Sequence, residues 1–345
     1  MIYFVYIFFL IAMLAIERES ARFRPFVRVI IPTVYALLIG LRGTSIGKDT
    51  ETYYEHFYYY GEWGCNFVEP GFDLLNRVMF SMGYNANQFF IANAAITLFF
   101  IYLALNRLDK KDYTLAAFCM YLLTIAFLVN GMRQGVACGM FMYAYKFIEN
   151  RKPVPYFLVM LLATQFHASA LMLLPLYFLS NRHLSEKWYI AIFIFSFIGV
   201  FTDISSYIPS LELLGRDYGN HIENMRIAEA SALGFIVSTT LNILVLLLMF
   251  KNQIHKRYPL LFNLIFFSFI LKNFGYSIPI IGRVTIYFTW FTYLMYPILL
   301  KKQNKPLFNS MYLTKIAVFG IILTLWFNGL FSAANMLIPY KFYWE

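Results

Sequence analysis

Residues 154–179 read VPYFLVMLLATQFHASALMLLPLYFL. The polar residues of this stretch, Thr164, Gln165, His167 and Ser169, are gathered at its middle. As one helix it would run about 39 Å, ample for one crossing of a hydrocarbon core and short for two. Two topologies follow. The stretch either crosses once, or enters and returns as two short helices bent near His167. Such a break is tolerated where irregular backbone lines a cavity rather than lipid.

Basic residues in the flanking connections favour one of the two, because Lys and Arg concentrate in cytoplasmic loops. Upstream, loop 17–28 carries Arg18, Arg22, Arg24 and Arg28, loop 107–112 carries Arg107, Lys110 and Lys111, and segment 146–152 carries Lys146, Arg151 and Lys152. The intervening segments 42–86 and 130–133 hold only Arg42, Lys48, Arg77 and Arg133. A single crossing would put the later cations Arg182, Lys187, Lys251, Lys256, Arg257, Lys301, Lys302 and Lys305 outside. A hairpin puts them inside and leaves Arg216, Arg226, Arg283 and Lys341 outside, sorting 18 cations inside against eight outside. The hairpin is therefore the expectation. With the other apolar blocks, near 1–16, 26–41, 87–106, 113–129, 131–149, 188–203, 232–250, 259–276, 284–300 and 311–330, it gives about 12 membrane segments. The expected fold class is an all-α polytopic integral membrane protein, a single membrane domain over 1–345 with both termini outside. Its long external loops are 42–86 and 204–231, so the exposed working side is external.

Composition agrees. The chain is 60% hydrophobic with 13% charged residues and a mean hydropathy of +0.61, far from the roughly 25% charged residues of soluble domains. Its net charge of +10 falls in short clusters between apolar blocks, which is a topology signal rather than a nucleic-acid face. Cys65, Cys119 and Cys138 show no metal spacing, and two of them lie inside apolar spans, so no disulfide framework is expected. There is no Asp-x-Asp pair, His/Cys cluster, Walker loop or Gly-x-Ser-x-Gly elbow, so neither a metal nor a cofactor is expected. Residues 1–16 lack a basic n-region and a small-residue cleavage site, and read as a retained span rather than a signal peptide.

Polar groups recur in the external segments. The first external loop runs RGTSIGKDTETYYEHF from Arg42 to Phe57. Asp49 or Thr52 can cap the helix that follows, with Thr52 and Glu55 spaced as a capping box. Tyr53, Tyr54, Phe57 and Tyr58 then serve either an interfacial aromatic belt or a glycan-contacting surface. Glu69-Pro70-Gly71-Phe72 opens a second helix, with proline in its first turn and Phe72, Leu75, Met79 and Phe80 forming a face that suits a helix lying on the membrane. Glu69 is either a cap or a carboxylate that orients or deprotonates a hydroxyl. In NGMRQGVACG, residues 130–139, Gly131, Gly135 and Gly139 form a small-residue stripe for close packing. Arg133 points about 200° away from that stripe, as a snorkelling cation or as a clamp for diphosphate. His167 is a structural histidine or a group on a cavity floor. Arg283 opens a late span from the same side as Arg133, and Lys272 is a weaker cation candidate.

The ordered set RGTSIGKDTETYYEHF, EPGF, NGMRQGVA, ATQFHASAL and GRVTIYF resembles the EpsG/Wzy-type polysaccharide polymerase family from about Arg42 to Phe288. The family pattern is an R-x-x-x-x-G-x-D-T-x-x-Y loop, then E-P-G-F, R-Q-x-x-A, F-H-x-S-A and a late R-I/V-x-x-Y-F. Arg42, Gly47, Asp49, Thr50 and Tyr53 all fit the first motif. No motif is recognised in 200–232. The resemblance implies a GT-C-like glycosyltransferase of the bacterial inner membrane, its active site facing the periplasm or cell exterior. Such an enzyme transfers a growing glycan from undecaprenyl diphosphate onto a lipid-linked repeat unit of O-antigen or exopolysaccharide. The implied partners are undecaprenyl-diphosphate-linked glycans, membrane lipid and a chain-length-regulating copolymerase, and no nucleic acid. Arg133 and Arg283, assisted by Arg42, are the candidates for stabilising the leaving diphosphate. Asp49, Glu69 and His167 are the candidate bases. Thr50, Tyr53, Gln134, Ser169 and Tyr287 are the further substrate contacts that the motif match implies. Two other readings remain: a lipid-linked oligosaccharide flippase or transporter, and an O-antigen ligase.

Overall fold

The computed structural model describes residues 1–64, 69–179, 183–201, 232–275, 279–300, 311–332 and 335–345. The expected external loop 204–231 lies outside them, as do Cys65, Arg182, Arg216, Arg226, Lys301, Lys302 and Lys305. The described residues are overwhelmingly helical and contain no named strand, only an isolated bridge between Arg42 and Phe342. Among the described residues, three helical stretches are long and apolar enough to cross a membrane: Ala86–Leu105, Gly234–Lys251 and Tyr312–Phe331. The chain divides into two compact units. The first is Met1–Phe178 with Tyr296–Ile298 and Val318–Glu345, and the second is Leu179–Met295 with Leu299–Ala317.

In the first unit, α1 (Ile2–Glu19) buries Tyr3, Tyr6, Leu10, Leu14 and Glu17, one stripe at helical spacing. Phe4, Val5, Phe8 and Ile11 on its other faces are exposed, as on a helix bathed in lipid. Tyr6 stacks on Tyr35 of α2 (Arg24–Gly40) at 5.6 Å, and the Tyr35 hydroxyl shares a 2.8 Å hydrogen bond with Thr124. The centre of the unit is α5 (Ala86–Leu105), which packs against α2 and against α8 (Met132–Glu149). Glycine makes both crossings close. A Cβ on Gly40 would lie 2.7 Å from the Ile91 nitrogen, and one on Gly139 would lie 2.8 Å from the Thr97 carbonyl oxygen. Gly131 and Gly135 instead lie against the side chains of Phe127 and Leu128, so Gly139 alone carries the glycine stripe onto the α5 backbone. Upstream of α8, α6 (Lys110–Leu123) and the short α7 (Ile125–Asn130) are separated at Thr124, and α7 ends at Gly131.

The 154–179 stretch is broken. Its first half is α9 (Pro153–Thr164). A turn at Gln165–His167 follows, then a 3-10 helix over Ala168–Leu173 and the short α10 (Leu176–Leu179). In one continuous helix Tyr156 and Tyr177 would stand about 31 Å apart. Their ring centroids are instead 5.5 Å apart, and the Tyr156 hydroxyl donates to the Leu173 carbonyl at 2.6 Å. The chain therefore doubles back at His167.

The two short helices of the 42–86 segment are α3 (Thr50–Trp63) and α4 (Pro70–Ser81). The expected capping of α3 does not form. Asp49 occupies the N-cap without a side-chain bond, and the helix begins at Thr50, which places Thr52 and Glu55 inside it rather than at its cap. The apolar face of α4 also departs from expectation. Phe72 is buried in an aromatic cluster with Phe57, Phe89 and Phe90, and Leu75, Met79 and Phe80 pack on that cluster, so this face meets protein rather than membrane. A C-terminal strap closes the unit. The Lys341 and Met336 carbonyls accept from the Gly43 and Gly47 N–H groups at 2.9 and 2.8 Å, and the Tyr343 N–H donates to Leu41 at 3.0 Å.

The second unit contains α11 (Glu186–Ser196), α12 (Ile198–Phe201), α13 (Ala232–Lys251), α14 (Ile254–Arg257), α15 (Pro259–Gly275) and most of α16 (Pro279–Leu299). The last helix, α17 (Met311–Phe331), begins in the second unit and lies largely in the first. Buried polar pairs fix α11 to α15. Tyr189 donates to Asn263 at 2.7 Å, and Asn273 donates to Ser196 at 2.7 Å.

Candidate active site around Glu69

Glu69 is where three motifs meet. It occupies the N-cap of α4, yet its side chain does not cap that helix. Oε1 accepts the Ala168 N–H at 3.0 Å, at the bend of the 154–179 hairpin, and Oε2 accepts from Arg133 Nη1 at 2.9 Å. His167 Nδ1 lies 3.3 Å from Oε1, in ion-pair range but short of an aligned hydrogen bond. The backbone returns the contact: the Gly71 and Phe72 N–H groups donate to the Gln165 carbonyl at 2.9 and 3.2 Å. Glycine is needed at 71, because a Cβ there would lie 2.8 Å from the Gln165 Cβ and 2.9 Å from its oxygen. The EPGF and QFHAS segments are thus clasped together, and Arg133 joins them from the first turn of α8.

The carboxylate is 4% exposed, whereas the Arg133 and His167 side chains keep 25% and 19% of their surface open. Burial alone would raise the Glu69 carboxyl. The contact with His167, the Arg133 charge and the Ala168 N–H together override it and hold the group at about 2, below its usual 4.5. Glu69 is therefore an anion at neutral pH. The stability this depression supplies is full above about pH 4.5 and is lost as pH falls toward 2, roughly 3 kcal/mol in all. We expect the stability gap between wild type and Glu69→Gln, measured by unfolding in detergent, to shrink by about that amount between pH 5 and 2. A gap independent of pH would show that Glu69 is not held as a paired anion.

Aromatic groups flank the cation. The Arg133 guanidinium lies 5.8 Å from the Phe72 ring centroid, and Tyr53 lies against the same group. His56 is one helical turn from Tyr53 on α3. Burial, and after it the Arg133 charge, lowers its imidazole below the usual value against a smaller opposing pull from Glu55. Its ring stacks on Tyr60 at 4.5 Å. His56 was not singled out in the sequence, although its i, i+3 relation to Tyr53 puts the two on one face. Farther along α3, Tyr58, Tyr59 and Trp63 are exposed.

Arg42 has a different setting. It is fully buried (0% exposed), and Nε donates to Thr50 Oγ1 at 2.9 Å. Nη1 donates to the Ile39 carbonyl, Nη2 donates to the Val129 carbonyl at 3.0 Å, and the Phe90 ring lies 4.7 Å away. Thr50, also buried, donates its own hydroxyl hydrogen bond to the Ile46 carbonyl. Gly47 turns with φ +91°, and a Cβ there would strike Val129 Cγ1 at 2.4 Å. Asn87 clamps the Gly40 and Arg42 carbonyls at 2.8 Å each. Arg42 and Thr50 thus brace the loop from inside, and the fully enclosed guanidinium has no open surface to offer a diphosphate.

The remaining candidates are dispersed. Asp49 is exposed beside the brace. Gln134 is buried next to Arg133, and Ser169 is half-buried in the 3-10 helix after Ala168. In the second unit, Arg283 is exposed near the start of α16, Tyr287 is buried one turn on, and Lys272 is half-buried in α15. The sequence model of the EpsG family matches residues 25–342. No curated protein and no solved structure matches the chain.

Proposed function

The chain belongs to the EpsG family, and on that premise we propose that it is a polysaccharide polymerase, a polytopic glycosyltransferase of the bacterial inner membrane whose working face is external. Its donor is a growing glycan on undecaprenyl diphosphate, and its acceptor is one lipid-linked repeat unit. An acceptor hydroxyl attacks the anomeric carbon of the donor, the bond to the diphosphate oxygen breaks with its electron pair, and undecaprenyl diphosphate leaves. The about 12 membrane segments and the GT-C-like architecture belong to the same proposal.

The observation that carries the reading is the meeting of Arg133, Glu69 and His167 at the hairpin bend. Arg133 supplies positive charge for the departing diphosphate, where a guanidinium is well matched in shape and charge. Glu69, held as an anion at about 2, is a poor proton acceptor and instead positions the other two groups. His167 is the general base. Its Nδ1 faces the carboxylate, which leaves Nε2 to take the hydroxyl proton. The Tyr54 and Tyr58 rings, 5.3 Å apart on α3, and the exposed Tyr59 and Trp63 offer apolar faces for sugar rings. Arg42 and Thr50 act as positioning residues. Arg283 and Tyr287 are kept as substrate contacts on the strength of the motif match, with Arg283 as second cation.

The test is deletion of the gene in its native strain, with complementation, and a gel of surface glycolipid and secreted polymer. The expected result is collapse of the polymer to single repeat units that still reach the surface. Absence of any repeat unit at the surface would replace the reading with a flippase, and accumulation of unattached lipid-linked polymer would replace it with a ligase.

A further inference from the structure

A second site lies at the other end of α8. From Arg133 to Phe147 the helix rises about 21 Å, so this place is separate from the Glu69 cluster. There a cleft of about 380 Å³ is lined by Arg107, Lys146, Phe147, Asn150 and Lys152. Arg107, just past the end of α5, donates to the Tyr143 carbonyl at 2.8 Å and lies over the Tyr143 and Phe147 rings at 4.0 and 5.3 Å. Those contacts fix the guanidinium in place without neutralising it. Arg151, at φ +54°, reverses the chain, and the Lys152 N–H donates to the Phe147 carbonyl at 2.8 Å, which sets Lys152 at the N-cap of α9. Glu149 pairs with Lys146, so Arg107 and Lys152 carry the cleft's net positive charge. Below this rim, Val154 and Leu158 share an exposed apolar face of α9, and Phe99 is exposed on α5.

A pinned guanidinium and a lysine above an apolar wall suit a phosphate that carries acyl chains. We propose that this cleft binds the phosphate of an anionic phospholipid head group, with Arg107 and Lys152 on the phosphate and the acyl chains along Val154 and Leu158. A basic pocket among membrane helices is the general form of such sites. The exposed apolar residues beneath the cations favour a lipid over free phosphate, since a soluble anion would make no use of them.

The full-length protein is purified in detergent and titrated separately with phosphatidylglycerol and phosphatidylcholine of the same acyl chains, and lipid retention is counted by native mass spectrometry. Phosphatidylglycerol is expected to be retained in preference. Lys152→Gln, at an exposed residue, should weaken retention about fivefold, and Arg107→Gln with Lys152→Gln by more than tenfold. A control with Lys110→Gln and Lys111→Gln removes two charges outside the cleft lining and should leave retention near wild type. Thermal midpoints of all variants confirm that they are folded. The proposal is overturned by equal retention of the two lipids, by unchanged retention in folded Lys152→Gln, or by an equal loss in the Lys110/Lys111 control. Displacement of the lipid by millimolar inorganic phosphate would assign the cleft to free phosphate and overturn the lipid reading as well.

Discussion

Cells whose only copy carries Arg133→Lys are expected to make about 10²–10³-fold less polymer while the protein accumulates normally. Lysine keeps the positive charge and can still reach Glu69, whose anion would otherwise stand buried without its partner. A bare Arg133→Ala change would mix two effects, since breaking a buried ion pair costs about 3–5 kcal/mol of stability. What lysine loses is the planar guanidinium that gives the carboxylate its Nη1 donor and offers further N–H donors to a diphosphate. Polymer yield is read from a gel ladder and protein level from an immunoblot of the same membranes. Wild-type polymer from Arg133→Lys would remove the arginine from the chemistry. A fall in polymer matched by a fall in protein would make Arg133 a packing residue.

Arg42→Ala should fail in the opposite way, with protein lost first. The Ile39 and Val129 carbonyls would lose their donor inside the core, the Phe90 ring would lose its cation, and the loop from Leu41 to Thr50 would lose its internal brace. Each orphaned buried acceptor costs about 1–3 kcal/mol, so the total is a large share of a typical stability of 5–15 kcal/mol. The expected result is little monodisperse protein in detergent, with polymer falling in proportion. Normal abundance without polymer would instead place Arg42 on the substrate.

The contrast between these arginines shows what a sequence exposes and what it hides. Both sit at the ends of apolar blocks within recognisable motifs, and a cation in that position reads the same whether it meets a diphosphate or its own backbone. The distinction rests on partners 87 and 90 residues away, the Val129 carbonyl and Met132, which leave no local mark. The bend at His167 was legible because it had a local signature, an apolar stretch of awkward length, and a second one spread along the chain, a charge distribution that favours a return. The start of α4 was legible from Pro70, whereas the direction of the Glu69 side chain was not, since Ala168 lies 99 residues on. A helix-start acid usually caps its own helix, and here the hairpin bend offered a buried N–H and α8 offered a cation in exchange. The apolar face of α4 misled for a related reason. Amphipathicity tells that a face is covered without telling whether lipid or the Phe57 and Phe89 rings cover it. The C-terminal strap over residues 336–343 had no sequence signal, because its bonds run largely through backbone groups that every residue carries, with the Tyr340 hydroxyl adding one to the Leu38 carbonyl.

The most direct measurement of the claim that Glu69, Arg133 and His167 form the site of glycosyl transfer uses purified protein in lipid nanodiscs with lipid-linked repeat units as sole substrate. Polymer length and released undecaprenyl diphosphate are followed for wild type and His167→Asn at neutral pH. His167→Asn leaves the Arg133–Glu69 pair in place, so its fold and its thermal midpoint should be close to wild type. The expected result is that wild type elongates and that folded His167→Asn is slower by about 10²–10⁴-fold. Elongation by folded His167→Asn at the wild-type rate would contradict the assignment of the base and move the chemistry away from the hairpin bend.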